Sequence, residues 1–332
     1  MIKRKIIIRV DGSSTIGLGH ISRCYALAEM LKNDFEIYFY TRADSKVIIE
    51  DIRNYCAGLI QLNNNISYEA EAIQWIEALA GNEIVVLDGY YFNTGYQQKI
   101  KDKGCKVVCI DDIHAYHFVA DVVINHAPGI TAEAYSAEPY TRLYLGPDYV
   151  MLKKIFLDEA LIPKGEYDLK DSSILICLGG ADPNNEIKNT LKELLELFPK
   201  TFFHVVVGAA YSHLQQLMVL AGDYKQVLLH INVKPEEMLS LMQQSNIAIT
   251  SASTIALEYS CVKGNLFLKC IADNQKEAYQ SLIERKCAYT FESIKENYYS
   301  DIAISNQHKL IDGKSNERLL DVFTQLDEKI YN

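Results

Sequence analysis

The chain has 332 residues, more than one ordinary domain needs and about right for two. Its hydrophobic fraction of 49% and charged fraction of 23% are those of a globular protein able to bury two cores. A net charge of −10 argues against a general nucleic-acid binder, which needs a basic face, yet leaves room for a nucleotide held by backbone N–H groups.

The opening MIKRKIIIRV is basic and then apolar, but its apolar run is too short for a signal peptide and no small-residue cleavage site follows. No apolar run reaches the roughly 18 residues of a membrane span. The eight cysteines form no CxxC pair and no zinc-finger spacing with histidine, so reduced, buried thiols of a cytoplasmic protein are expected.

Residues 5–10 read as a buried parallel strand, followed by a small-residue loop and a helix over 20–32 with apolar positions at Ile21, Tyr25, Leu27, Ala28 and Leu31. Strands are predicted at 35–41, 59–62, 83–87, 106–110 and 119–124, alternating with helices near 45–56, 68–79 and 94–103. The polar residues at the strand ends are Asp11, Asp88, Tyr90, Asp111, Asp112 and Asn125. Residues 126–172 are less regular and hold four of the seven prolines, with a strand end and turn at Tyr144-Leu145-Gly146-Pro147. A second series of strands follows at 174–178, 202–207, 227–230, 247–250 and 266–271, again alternating with helices. An amphipathic helix over about 314–330 ends the pattern. Alternation of this kind predicts an α/β fold with parallel sheets, helices on both faces and ligands beyond the carboxyl ends of the strands. The predicted domains are 1–150 and 165–312, both Rossmann-like, with 313–332 a helix free to pack back across them.

Three loops stand out. GLGHIS carries Gly17, Gly19 and His20 at a helix start, without a full GxGxxG fingerprint or a P-loop lysine. It is either a tight turn or a place where a backbone approaches an anion, with His20 placed for acid–base work. Asp11 lies nearby in sequence and could orient His20. Ser251-Ala252-Ser253-Thr254 precedes a helix. Its hydroxyls either cap that helix or, with the free N–H groups, hold a phosphate. Glu258 follows one turn later and could accept hydrogen bonds from ribose hydroxyls. Gly179-Gly180-Ala181-Asp182 is a plain turn or a ligand loop. Asp111-Asp112 and the histidines His114, His117 and His126 lack a third ligand at clear spacing, so strand-end capping and loop roles are expected rather than a metal site.

Taken together, RVDGSSTIGLGHISRCYALAEML (9–31), LDGY (87–90), IDD (110–112), LGPDY (145–149), CLGGADPNN (177–185), ITSASTIALE (249–258) and ADNQ (272–275) resemble one family. It is UDP-2,4-diacetamido-2,4,6-trideoxy-β-L-altropyranose hydrolase, of pseudaminic acid biosynthesis. The matches run in order from about residue 6 to 285. The resemblance implies a GT-B-like fold of two Rossmann-like domains facing across a cleft, the nucleotide held mainly by the second. It implies His20 as catalytic base, with Gly17 and Gly19 giving sugar and phosphate close access. It also implies Ser253 and Thr254 on the diphosphate, Glu258 on the ribose, and Asn274 and Gln275 by the phosphates or sugar. Tyr90, Gly179 and Gly180 join the substrate-binding set. No cofactor or metal is implied, and the partner is a UDP-amino sugar. Two positions depart from the family pattern: Gly89 stands where histidine is common, and Lys153-Lys154 where arginine is. The same loops would suit a GT-B glycosyltransferase or a nucleotide-sugar binding protein without chemistry.

Overall fold

The computed structural model describes residues 3–12, 19–43, 45–163, 173–179, 182–208, 211–298 and 302–328. The chain divides into two compact units, Met1–Lys154 with Lys314–Asn332, and Ile155–Gly313.

In the first unit the strands are β1 (Lys5–Val10), β2 (Glu36–Thr41), β3 (Gly58–Gln61), β4 (Ile84–Asp88), β5 (Lys106–Ile110), β6 (His117–Phe118), β7 (Val122–Asn125), β8 (Ser136–Ala137) and β9 (Arg142–Leu145). Seven of them form one parallel sheet in the order β3-β2-β1-β4-β5-β7-β9, while β6 and β8 pair separately. The apolar runs explain why both faces are covered. Alternate residues of a strand point to opposite faces. Ile6, Ile8 and Val10 accordingly join one core with Ile21, Leu27 and Leu31 of the helix Gly19–Leu31. Ile7 joins the other core, with Trp75, Val85 and Leu87. The helix Ser315–Glu328 belongs to this unit. Its Leu319, Val322, Phe323 and Leu326 recur at helical spacing and enter the first core, where Phe323 meets Phe35 edge-on at 6.3 Å.

The second unit holds β10 (Ile174–Cys177), β11 (Phe203–Val207), β12 (Val227–Ile231), β13 (Ile247–Ser251), β14 (Asn265–Lys269) and β15 (Tyr289–Thr290), in the parallel order β12-β11-β10-β13-β14-β15. Its core joins Ile174, Ile176 and Val205 to Ile187, Leu191 and Leu194 of the helix Glu186–Leu197.

Both sheets therefore run outward from a central first strand and then reverse, β1 beside β4 and β10 beside β13. Such switch points open a crevice beyond the strand ends, the usual ligand position in this class of sheet. The sequence pattern understates two regions. Arg142–Leu145 is a full seventh strand rather than a strand end, and Lys154–Leu161 is a helix inside the proline-rich stretch. Among the described residues no helix is long and apolar enough to cross a membrane.

Candidate active site

The switch point of the first sheet places two distant segments side by side. Val10 at the end of β1 is in register with Asp88 at the end of β4. The helix that follows β1 then carries His20 onto that carboxylate, His20 Nδ1 lying 2.6 Å from Asp88 Oδ1. Arg23, three residues on and on the same helix face, grips Asp88 with two nitrogens, Nε to Oδ2 at 2.6 Å and Nη2 to Oδ1 at 2.5 Å. Its remaining nitrogen, Nη1, donates to Asp112 Oδ1 at 2.5 Å. The thiol of Cys24 completes the shell, 3.3 Å from Asp88 Oδ2. His20, Arg23 and Asp88 are all buried, Asp88 fully so.

The electrostatics follow from this packing. Burial alone would push the Asp88 carboxyl up. The Arg23 guanidinium and then His20 outweigh it and hold Asp88 well below the usual carboxylate range. An ionised carboxylate accepts only, so the 2.6 Å contact assigns the proton to Nδ1 of His20, while Arg23 Nη2, 3.0 Å from the same nitrogen, donates to Asp88 Oδ1 instead. Nε2 is the ring atom left for proton transfer. Asp112 is likewise depressed, burial being overcome by Arg23. Tyr90, two residues after Asp88, stands edge-on to the His20 ring at 4.8 Å and 84°. His126, just past β7, is buried close enough to feel the same charges; burial reinforced by Arg23 pushes its imidazole down to about 4.

Asp11 is not the partner of His20. Arg9 is completely buried within β1, and a buried guanidinium needs counter-charge. Asp11 supplies it, taking Arg9 Nη1 at 2.5 Å and Nη2 at 2.8 Å, while Glu71 takes Nε at 2.8 Å. The Arg42 backbone N–H and the Tyr68 hydroxyl, each at 2.8 Å, also donate to Asp11. The residue that orients His20 is Asp88, visible in the sequence only as one of several strand-end acids. Arg23 and Cys24 were not legible as site residues, although the three-residue spacing from His20 to Arg23 is a signal that both lie on one helix face. Gly17 lies outside the described residues. Gly19 opens the helix, and a Cβ there would meet nothing within 4 Å.

In the second unit the switch point brings β10 and β13 together. Gly179, two residues past the end of β10, has φ +101, and a Cβ placed on it would stand 3.9 Å from Ser251 Oγ. Ser251 Oγ and Ser253 Oγ are 2.9 Å apart. Ser253 is the N-cap residue of the helix Thr254–Val262, yet its side chain makes no cap hydrogen bond. The capping role open to Ser253 is thus not taken; its hydroxyl instead meets that of Ser251, beside Gly179. Glu258 sits one turn into that helix and is half-buried, its charge felt by the thiols of Cys177 and Cys261. Asp182 does the structural work of its loop, with Oδ1 and Oδ2 accepting the Glu186 and Ile187 N–H groups at 2.8 Å each. Gly180 lies outside the described residues. Asn274 is exposed in the short turn Asp273–Gln275, and Gln275 Oε1 accepts the Ile271 N–H at 3.1 Å.

The suspected metal residues go elsewhere. Asp111 Oδ2 accepts the His114 N–H at 2.8 Å and the Tyr135 hydroxyl at 3.0 Å, and Asp112 serves Arg23. His117 bonds Ser136 and Glu138. Among the described residues no group of three or more His, Cys, Asp or Glu side chains is arranged to hold a metal ion.

No protein-family model matches the chain. It is 25% identical to an uncharacterized protein of Methanocaldococcus jannaschii over 97% of this chain and 66% of that one. It is 27% identical to the UDP-2,4-diacetamido-2,4,6-trideoxy-β-L-altropyranose hydrolase of Campylobacter jejuni, over 82% of this chain and 93% of that one. The chain thus spans slightly under two thirds of the first relative and nearly all of the second. Among solved structures it superposes on CalG4, the calicheamicin glycosyltransferase, with a TM-score of 0.68, at 13% identity and 98% coverage of both chains. Other glycosyltransferases are similar in the same way, which makes the fold GT-B-like. At the level of family, the chain resembles the UDP-2,4-diacetamido-2,4,6-trideoxy-β-L-altropyranose hydrolases over most of its length.

Proposed function

We propose that the chain hydrolyses a UDP-linked diacetamido-trideoxy sugar at the anomeric C–O bond. The products are UDP and the free sugar, a precursor for a nonulosonic acid of the pseudaminic type. The observation that carries this reading is the buried pair of His20 and Asp88, 2.6 Å apart. Asp88 fixes the tautomer that exposes Nε2 as a base, and its charge offsets the imidazolium formed when that base works. In the proposed step Nε2 takes a proton from water as the water oxygen bonds to the anomeric carbon. The C–O bond to UDP breaks on the opposite face, so the configuration inverts, through an oxocarbenium-like transition state. UDP leaves as an anion, and no general acid is needed. The N–H groups at Ser253-Thr254, with the adjacent serine hydroxyls and Gly179, are assigned to its diphosphate. Glu258 is assigned to the ribose, and Tyr90, Gly19 and Asn274 to the sugar and phosphates. The Gln275 carbonyl closes its own turn, which leaves its amide nitrogen for the ligand. A cytoplasmic setting fits the eight free thiols.

The test is incubation with a panel of UDP-diacetamido sugars, following UDP release and the anomer first formed by NMR. UDP released in water alone, with inverted configuration and at an unchanged rate in a chelator, supports the hydrolase. The glycosyltransferase reading is favoured by the likeness to CalG4. It predicts UDP release only when an acceptor is added. Binding without UDP release in either condition would replace both with a binding protein.

A further inference from the structure

The far end of the first sheet carries a second charged site. Beyond the strand starts lies a cavity of about 380 Å³, lined by Lys101, Lys106, Asp121, Tyr140, Arg142 and Leu326. Lys106 opens β5 and Arg142 opens β9. Asp88, by contrast, closes β4, so this cavity and the His20 site sit at opposite ends of the parallel strands. Its volume falls within the range of small-molecule sites, at the low end.

Three cations share this lining with one carboxylate, in a chain whose net charge is −10. The carboxylate is engaged on both oxygens. Asp121 Oδ1 is 3.2 Å from Lys106 Nζ, and Oδ2 is 3.0 Å from Lys101 Nζ and 2.9 Å from the Val107 N–H. It fixes where the two ammonium groups sit and cancels only one of them. Arg142 spends one nitrogen on a neutral partner, Gln325 Oε1 at 2.7 Å. Arg4, behind the wall, donates Nη1 to the Leu326 carbonyl at 2.9 Å and is paired with the Asp327 carboxylate at 3.4 Å, so it adds no net charge. The lining groups thus carry an excess of two positive charges, held in place by Asp121 and Gln325. The exposed ring of Tyr140, with Lys101 4.8 Å from its centroid, adds apolar surface.

We propose that this cavity binds a phosphate-bearing small molecule. A phosphate dianion matches the excess charge, where a carboxylate would leave half of it unmet. Lysine ammonium groups serve phosphate as point charges and the arginine fork as a planar donor. The exposed ring of Tyr140 suits an organic remainder on the phosphate. Because the cavity is at the opposite end of the sheet from Asp88, its occupancy and sugar hydrolysis are separate measurements, and either can fail alone.

Calorimetric titration of the full chain with ribose 5-phosphate and with inorganic phosphate tests the site, against chloride at matched ionic strength. Saturable binding of about millimolar affinity or tighter is expected, roughly tenfold weaker in Lys106→Gln and in Arg142→Gln, about the loss of one charge-assisted contact. Tighter binding of ribose 5-phosphate assigns an organic phosphate, and equal binding assigns the free ion. On the unaltered protein, the lysine side-chain NMR signals of Lys101 and Lys106 should move with the same titration, which needs no variant to fold. An effect no larger than that of chloride, unshifted lysine signals, or variants that bind as tightly as the parent would overturn the proposal.

Discussion

His20 and Asp88 are 68 residues apart in the chain and 2.6 Å apart in space, joined because β4 lies beside β1. The imidazole owes its tautomer to a carboxylate that Arg23 keeps ionised. In the proposed function that relationship separates proton transfer from ligand binding, because the pair belongs to the first unit, while Gly179, Ser251 and Ser253 belong to the second.

Removal of the base should therefore act on turnover alone. His20→Asn keeps a donor for Asp88 but has no basic nitrogen, so kcat should fall about 10²- to 10⁴-fold. UDP affinity, measured by calorimetry, should stay within about twofold of the parent on this reading. Full hydrolysis by this variant would remove His20 from the mechanism.

Asp88→Asn leaves the buried Arg23 with Asp112 as its only carboxylate and lets His20 choose the wrong tautomer. Loss of about 3 kcal/mol of stability is expected for a broken buried pair, together with a drop in kcat. Asp11→Asn makes the useful contrast. It should destabilise through Arg9 to a similar degree, with kcat per folded molecule unaltered. Melting curves read beside turnover separate the two effects. An equal kcat loss in both variants would mean that Asp88 acts only through the fold.

Stability should also depend on pH through His126. Its imidazole is pushed down to about 4 in the fold by burial and then by Arg23, against about 6.5 in an unfolded chain. The unfolded chain thus takes up its proton first as the pH falls, so the contribution is complete above about 6.5 and is lost between there and about 4. The gap corresponds to at most about 3 kcal/mol. Asp88 and Asp112, both depressed in the fold, add a further loss only below about pH 4. Urea unfolding at a series of pH values should show this slope, and His126→Gln should flatten it between 4 and 6.5. An unchanged slope would assign the dependence to other groups.

The second unit should govern nucleotide affinity. Ser253→Ala and Thr254→Ala each remove a hydroxyl from the turn that follows β13. The Ser253 hydroxyl makes no cap hydrogen bond, so melting temperature should hold within a few degrees, most clearly in Ser253→Ala. UDP should bind about tenfold more weakly, about the loss of one charge-assisted hydrogen bond. If Tm falls and UDP affinity does not, the hydroxyls are structural.

Much of this was legible from residue patterns, because buried parallel strands announce themselves as runs such as Ile6-Ile7-Ile8 and Ile84-Val85-Val86. Both switch-point loops, at 9–31 and 249–258, also stood out by composition. What spacing could not reveal was which strand end faces which. Asp11 is nine residues from His20 and Asp88 is 68, yet strand order favours the distant one. The signal against Asp11 was present: Arg9 sits inside an apolar strand, and a buried guanidinium claims the nearest carboxylates. Strand β9 was only half visible, since Arg142 and Tyr144 alternate with Leu143 and Leu145 along an edge that the helix Ser315–Glu328 covers in part. That cover comes from far along the chain, beyond the reach of any local window.

The same helix has a consequence for how the molecule is made. Leu319, Val322, Phe323 and Leu326 complete a core whose strands begin at Lys5, and the whole second unit is threaded into the chain between them. A ribosome adds about 5–20 residues per second and domains fold as units. The inserted unit, Ile155–Gly313, is therefore synthesised in full while its host still lacks one wall. The half that carries His20 is started first and finished last, so a nascent chain passes through a stage in which the inserted unit can acquire its fold before its host is closed.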